Sequence, residues 1–175
     1  MSKLATKLRA LRWAPLIGIV GLSSIGEAGD IDGNNQLLAT AMKNVSGTLE
    51  DGLRASERVG KPISAKFAVD RGVVHLSISI AKTDGFSEIM LYPTIRMVTE
   101  IVEVTDASEL KIAVERKLAM ERASMSLLSA AENAVKTNDG SRVVSIFPMA
   151  EEGHPIAVVA LLRNGEFNIV MEELN

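Results

Sequence analysis

The spacing of apolar residues in this chain switches between two periods, and it does so twice. Leu37, Leu38, Ala41, Met42, Val45, Leu49 and Leu53 recur at helical spacing, and Gly60 with Pro62 ends the pattern. This predicts one helix of about twenty residues, weakened at Gly47 and Gly52. The period then falls to two: Ile63, Ala65, Phe67 and Val69, then Val74, Leu76, Ile78 and Ile80 across the turn Asp70-Arg71-Gly72. Phe86 to Tyr92, after Thr83-Asp84-Gly85, and Met97 to Val104 complete a predicted four-stranded meander. Lys66, His75, Ser77, Ser79 and Lys82 fall on the alternate positions and predict one wetted sheet face.

At Asp106 the helical period returns. Asp106 reads as an N-cap with Glu109 three residues on, and Leu110, Val114, Leu118, Met125, Leu128 and Val135 form one stripe ended by Asn138-Asp139-Gly140. Strands follow at Arg142 to Met149, Pro155 to Leu162 and Glu166 to Glu172. Their joints are Glu151-Glu152-Gly153 and Asn164-Gly165, the latter the strongest hairpin signal in the chain. The strand from Ile156 to Leu162 is apolar on both faces and reads as central. A helix with one apolar stripe needs a sheet to bury it, so the expected fold is α+β, with helices packed on one face of antiparallel sheet. The order also predicts an internal repeat, about 37–104 and about 106–174, in which Phe67 matches Phe147 and Gly72 matches Gly153 with one residue inserted between them in the second copy.

Residues 1–28 read as a secretory signal. Lys3, Lys7, Arg9 and Arg12 precede an apolar stretch from Ala14 to Ile25, and Gly26 and Ala28 are small enough to precede a cleavage point after Ala28. The stretch is short for a membrane span, and an uncleaved N-terminal anchor is the alternative. Either way the expected location is periplasmic or secreted, with a membrane attachment only in the uncleaved case. The polar, glycine-bearing run that follows predicts a flexible leader over 29–36, and the remaining domain is 37–175.

Composition narrows the chemistry. There is no cysteine, so disulfides, thiolate catalysis and zinc ribbons are excluded. With 19 Lys and Arg against 22 Asp and Glu, and 3% aromatic residues, neither a phosphate-tracking surface nor a base-stacking groove is suggested. His75 and His154 lack a second histidine at metal-ligand spacing and read as exposed polar residues. Met149 with His154 invites a soft-metal reading, but the methionines sit mostly on helix stripes and strands, where core filling accounts for them. Glu151-Glu152 and Glu172-Glu173 read as solvated turn charge, and Ser64, Ser77 and Ser79 have no nucleophile elbow around them. The helix from Leu110 to Val135, with Lys111, Arg116, Lys117, Glu121 and Arg122, is either a partner surface or a helix wrapping one sheet, with one face buried and the other charged.

Ile63-Ser-Ala-Lys-Phe67, the turn Asp70-Arg71-Gly72, Gly85-Phe86-Ser87-Glu88, and the stretch from Gly153-His154-Pro155 through Asn164-Gly165-Glu166-Phe167 resemble the PepSY domain family of bacterial extracytoplasmic proteins. The resemblance covers roughly residues 37–174. The segment Tyr92-Pro93-Thr94-Ile95-Arg96-Met97-Val98 departs from it, lacking the family's Asp-Pro and Thr-Gly. What the resemblance implies is an envelope protein that restrains a peptidase without catalysis; the leading expectation is a binding module without cofactor that modulates a peptidase or chaperones another secreted partner. A small-ligand module using the groove between helix and sheet is the second expectation, and a hydrolase the third. Strand addition at a sheet edge is one route to such a partner.

Overall fold

The computed structural model describes residues 28–93 and 97–175. Its elements run α1 (Ala28–Met42), α2 (Leu49–Ser56), β1 (Lys61–Asp70), β2 (Val73–Ala81), β3 (Phe86–Tyr92), β4 (Met97–Glu103), α3 (Ala107–Arg122), α4 (Leu127–Thr137), β5 (Arg142–Glu151), β6 (His154–Arg163) and β7 (Glu166–Glu173). The protein is α+β. All seven strands join one antiparallel sheet in the order β4-β3-β2-β1-β5-β6-β7, so two meanders meet where β1 pairs with β5. The proposed signal segment up to residue 27 and the altered turn at 94–96 lie outside the described residues.

Three two-residue hairpins build the sheet from local rules. Arg71-Gly72, Glu152-Gly153 and Asn164-Gly165 all have positive φ at both residues, the mirror-image turn whose twist suits antiparallel strands. Each first strand of a meander also carries a bulge, between Pro62 and Ser64 in β1 and between Val143 and Ser145 in β5. The register pairs of β1–β3 and β5–β7 match at a constant spacing of 81: the Ala65–Ile78 pair answers to Ile146–Val159, and Ala81–Phe86 to Leu162–Phe167. On this ladder Phe67 answers to Pro148, not to Phe147. Phe67 and Phe147 point to opposite faces, and no residue is inserted between strand and turn.

Both predicted long helices are broken. Thr48 caps α2 by accepting from the Asp51 amide, and Gly47 passes so close to Pro93 that a Cβ there would sit 2.7 Å from the Pro93 carbonyl oxygen. Between α3 and α4 the amides of Ser124 and Met125 both donate to the Leu174 carbonyl, and Ser126 caps α4. These bonds carry the chain around the end of the sheet. The run 29–36 is helical, a correction to the leader reading: it forms the start of α1, which buries Leu38, Ala39 and Met42 farther along, and a glycine costs a helix only about 1 kcal/mol.

The helices do not share one face. Gly52 of α2 lies against Leu76 and Ile78, whose side chains project with Ala65, Phe67 and Ile80, and α4 lies beside α2, joined by the Arg54–Glu132 ion pair at 2.9 Å. Arg116 of α3 instead reaches Ser64 and Phe147, which project from the opposite face. Covering both faces explains why β6 is buried from Pro155 to Leu162 while sitting next to the sheet edge; β1, not β6, is the central strand. Burial of Ile63, Phe67, Leu76, Ile78, Ile89, Leu127, Ile146 and Leu161 makes the core, each worth about 1.5–3 kcal/mol against exposure.

Candidate functional site

Among the described residues, the α3-covered face of β1–β3 carries most of the buried polar side chains. Ser64, Lys66, His75, Ser77, Ser79 and Glu88 all project there, because they occupy matched positions on the β1, β2 and β3 ladder. The sequence predicts this face as wetted. The structure corrects that: His75 and Ser77 are each 3% exposed. Burial in turn requires partners. Ser77 donates its hydroxyl proton to the Glu88 carboxylate, and Arg116 donates to the Ser64 hydroxyl at 2.8 Å while its guanidinium lies 5.4 Å from the centre of the Phe147 ring.

Burial sets the titration of this cluster. The Lys66 ammonium is pushed below its ordinary range by desolvation, which Glu88 and Glu109 oppose and Arg116 reinforces. His75 is likewise lowered by burial, against the opposing pull of Asp70, the Val73 backbone and Glu88. Glu109, on the first turn of α3, is raised by desolvation and by Glu88 and Asp106. Asp106 is held low because it accepts from the Ser108 hydroxyl and from the Ser108 and Glu109 amides, as an N-cap should.

A cavity of about 510 Å³ lies at the end of the same face, where β1 begins and β2 ends. Val59, Ala81 and Met120 supply apolar wall, and Lys61, Lys82, Lys117, Asp84 and Glu121 supply charge. Lys61 donates to the Met120 carbonyl at 3.0 Å, and Lys117 pairs with Glu121 at 3.8 Å. Gly60 is required here by close approach, since a Cβ would lie 2.8 Å from the Ala81 carbonyl oxygen.

The remaining sequence candidates scatter. His154 is exposed beyond the β5–β6 turn, as expected, and pairs across the ladder with Glu151. Met149 is half-buried and opposite Ile156, so the structure does not bring it together with His154. Glu151 and Glu152 are exposed in their turn; Glu172 and Glu173 point to opposite faces at the end of β7. Ser64 and Ser77 are engaged by Arg116 and Glu88. Among the described residues no group of three or more His, Asp or Glu is placed to hold a metal ion, and no helix is long and apolar enough to cross a membrane. The alternation of the strands groups the strand residues of the polar face, whereas nothing in that alternation points to Arg116 and Glu109, on a helix that reads as a partner surface or as one buried and one charged face. Their spacing of seven, two turns along one helix face, is the signal that could have found them.

The last element of the site is a sheet edge that no other described strand covers. β4 borders the sheet, and Ile101 and Val102, which project from opposite faces, are 48% and 47% exposed.

No protein-family model matches the chain, and no curated protein is significantly similar to it. Among solved structures, the chain is similar to a candidate lipoprotein from Clostridium difficile 630, with 13% identity and a TM-score of 0.40 over 75% of this chain and 97% of that one.

Proposed function

We propose that this chain is a non-catalytic extracytoplasmic binding module of PepSY-like build, two copies of one helix-and-sheet unit, that engages an envelope peptidase or another secreted protein. The resemblance in the strand and turn residues supports the family reading, and the constant ladder spacing of 81 supports duplication. The observation that carries the binding reading is the β4 edge, where two apolar side chains stand exposed on opposite faces of a strand that, among the described residues, has no neighbouring strand on its outer side. Strand addition there would restrain a partner without any chemistry of this chain's own. The test is cross-linking in the source cell with a C-terminally tagged full chain, followed by mass spectrometry of captured proteins and of the bait's N-terminus. Reproducible links to an envelope peptidase or other exported protein, on a bait beginning at Gly29, are expected. Links confined to cytoplasmic proteins on a bait retaining residues 1–28 would overturn both the export and the binding reading.

The cavity between α3 and the sheet favours a second reading, a small-ligand module. A ligand held there stabilises the native state, so a screen of envelope metabolites would raise Tm for one class of compound and leave it fixed for the rest. Loss of that shift in K82A would place the ligand in this cavity.

A further inference from the structure

The open β4 edge has a definite chemical pattern. Glu100, Ile101, Val102 and Glu103 follow one another along it: Glu100 and Val102 project to the face of Met90 and Glu88, and Ile101 and Glu103 to the face of Ile89 and Ser87. A strand laid against β4 would therefore meet an acid and an apolar residue on each face. Opposite charges directly across a ladder attract, and like charges repel.

From this geometry we infer that β4 accepts an extended partner segment with a basic residue, two apolar residues and a second basic residue in succession. The two basic side chains lie opposite Glu100 and Glu103, and the apolar pair lies over Ile101 and Val102. The acid-apolar-apolar-acid order reads the same in both directions, so the match holds for a parallel or an antiparallel segment. A second copy of this chain is the wrong occupant: antiparallel pairing centred between Ile101 and Val102 would set Glu100 against Glu103 twice. β7, the opposite edge, is also acidic, with Glu166, Glu172 and Glu173, but it lacks this four-residue pattern and is fastened at its end by the Leu174 carbonyl. The inference rests on the binding-module reading and names the segment that the module takes.

Two fluorescein-labelled peptides with identical threonine-rich flanks test it, one with a Lys-Val-Ile-Lys centre and one with Glu-Val-Ile-Glu. Anisotropy with the full chain should show the lysine peptide binding about tenfold more tightly or better, as two attractive pairs replace two repulsive ones. Hydrogen exchange should show new protection at residues 97–103, and the double variant E100K/E103K should reverse the preference. A lysine peptide with one central proline, equal in charge but unable to pair, should not protect β4. Absence of binding by the lysine peptide, protection elsewhere, or a preference unchanged in E100K/E103K would overturn the inference. If cellular cross-links then still captured an exported partner through another surface, the module reading would stand and only the β4 assignment would fall.

Discussion

On the face that α3 covers, the two halves of the sheet present opposite chemistry from the same ladder positions. Lys66, His75, Ser77, Ser79 and Glu88 in β1–β3 correspond to Phe147, Ile156, Val158, Ala160 and Ile169 in β5–β7. Ser64, Phe86 and Met90 keep their residue type at Ser145, Phe167 and Met171. The second half is held by area removed from water, which is non-directional. The first half must place each donor against an acceptor, because an unsatisfied buried polar group costs about 1–3 kcal/mol. One helix serves both: Arg116 bonds to Ser64 in the polar half while its guanidinium lies over Phe147 in the apolar half. Like backbones thus tolerate unlike faces so long as the covering helix supplies the missing partners.

Moving a charge across this divide should have the largest effect. V158K places an ammonium at the position answering to Ser77 but among apolar neighbours, and an uncompensated buried charge costs about 3–5 kcal/mol. Urea unfolding should show the variant largely unfolded at low denaturant; a loss under 1 kcal/mol would mean that the second half is as polar-tolerant as the first.

Cutting the link between the halves comes next. R116M removes a charged hydrogen bond to Ser64 and the contact with Phe147, an expected loss of about 1.5–3 kcal/mol in ΔG of unfolding. In the double variant R116M/S64A the additional loss should be small, since the orphaned hydroxyl goes too.

The third effect is on pH. Burial lowers the His75 pKa below its unfolded value near 6.5, so the unfolded chain binds the proton more readily. His75 therefore contributes stability that is full above that value and is lost as pH falls from about 7 through the folded pKa. Glu50 and Glu109 are raised and act with the opposite sign, but in the carboxylate range below. Unfolding free energy of the wild type should fall between pH 7.5 and 5.5, and H75Q should flatten that slope. An unchanged slope in H75Q would remove His75 as its source.

The smallest effect concerns a turn. Arg71, Glu152 and Asn164 occupy the same positive-φ position in their three hairpins, and only asparagine suits it well. R71N should stabilise by about 0.5 kcal/mol, read as a rise in Tm. No rise would mean that Arg71 makes a compensating interaction.

Local rules made much of this fold legible. The two-residue turns announce themselves through Gly72, Gly153 and Asn164-Gly165, and alternation places all seven strands. The helix breaks were not legible, because one depends on the carbonyl of Leu174, fifty residues from Ser124, and the other on the approach of Pro93 to Gly47. The polar face could be read as one face but not as a buried one. Burial there is decided by where α3 docks, and α3 has too many charged residues for its stripe to point to a face. The β4 edge was legible as a strand, while its position at the border of the sheet follows only from the strand order.

The most direct measurement compares the two borders of the sheet in the source cell. A photo-reactive benzoylphenylalanine replaces Val102 in β4 or Ile169 in β7, in the full chain, and adducts are resolved after irradiation. Strand addition at β4 predicts a partner adduct from position 102 and none from position 169. An adduct from 169 alone, or equal adducts from both, would contradict it.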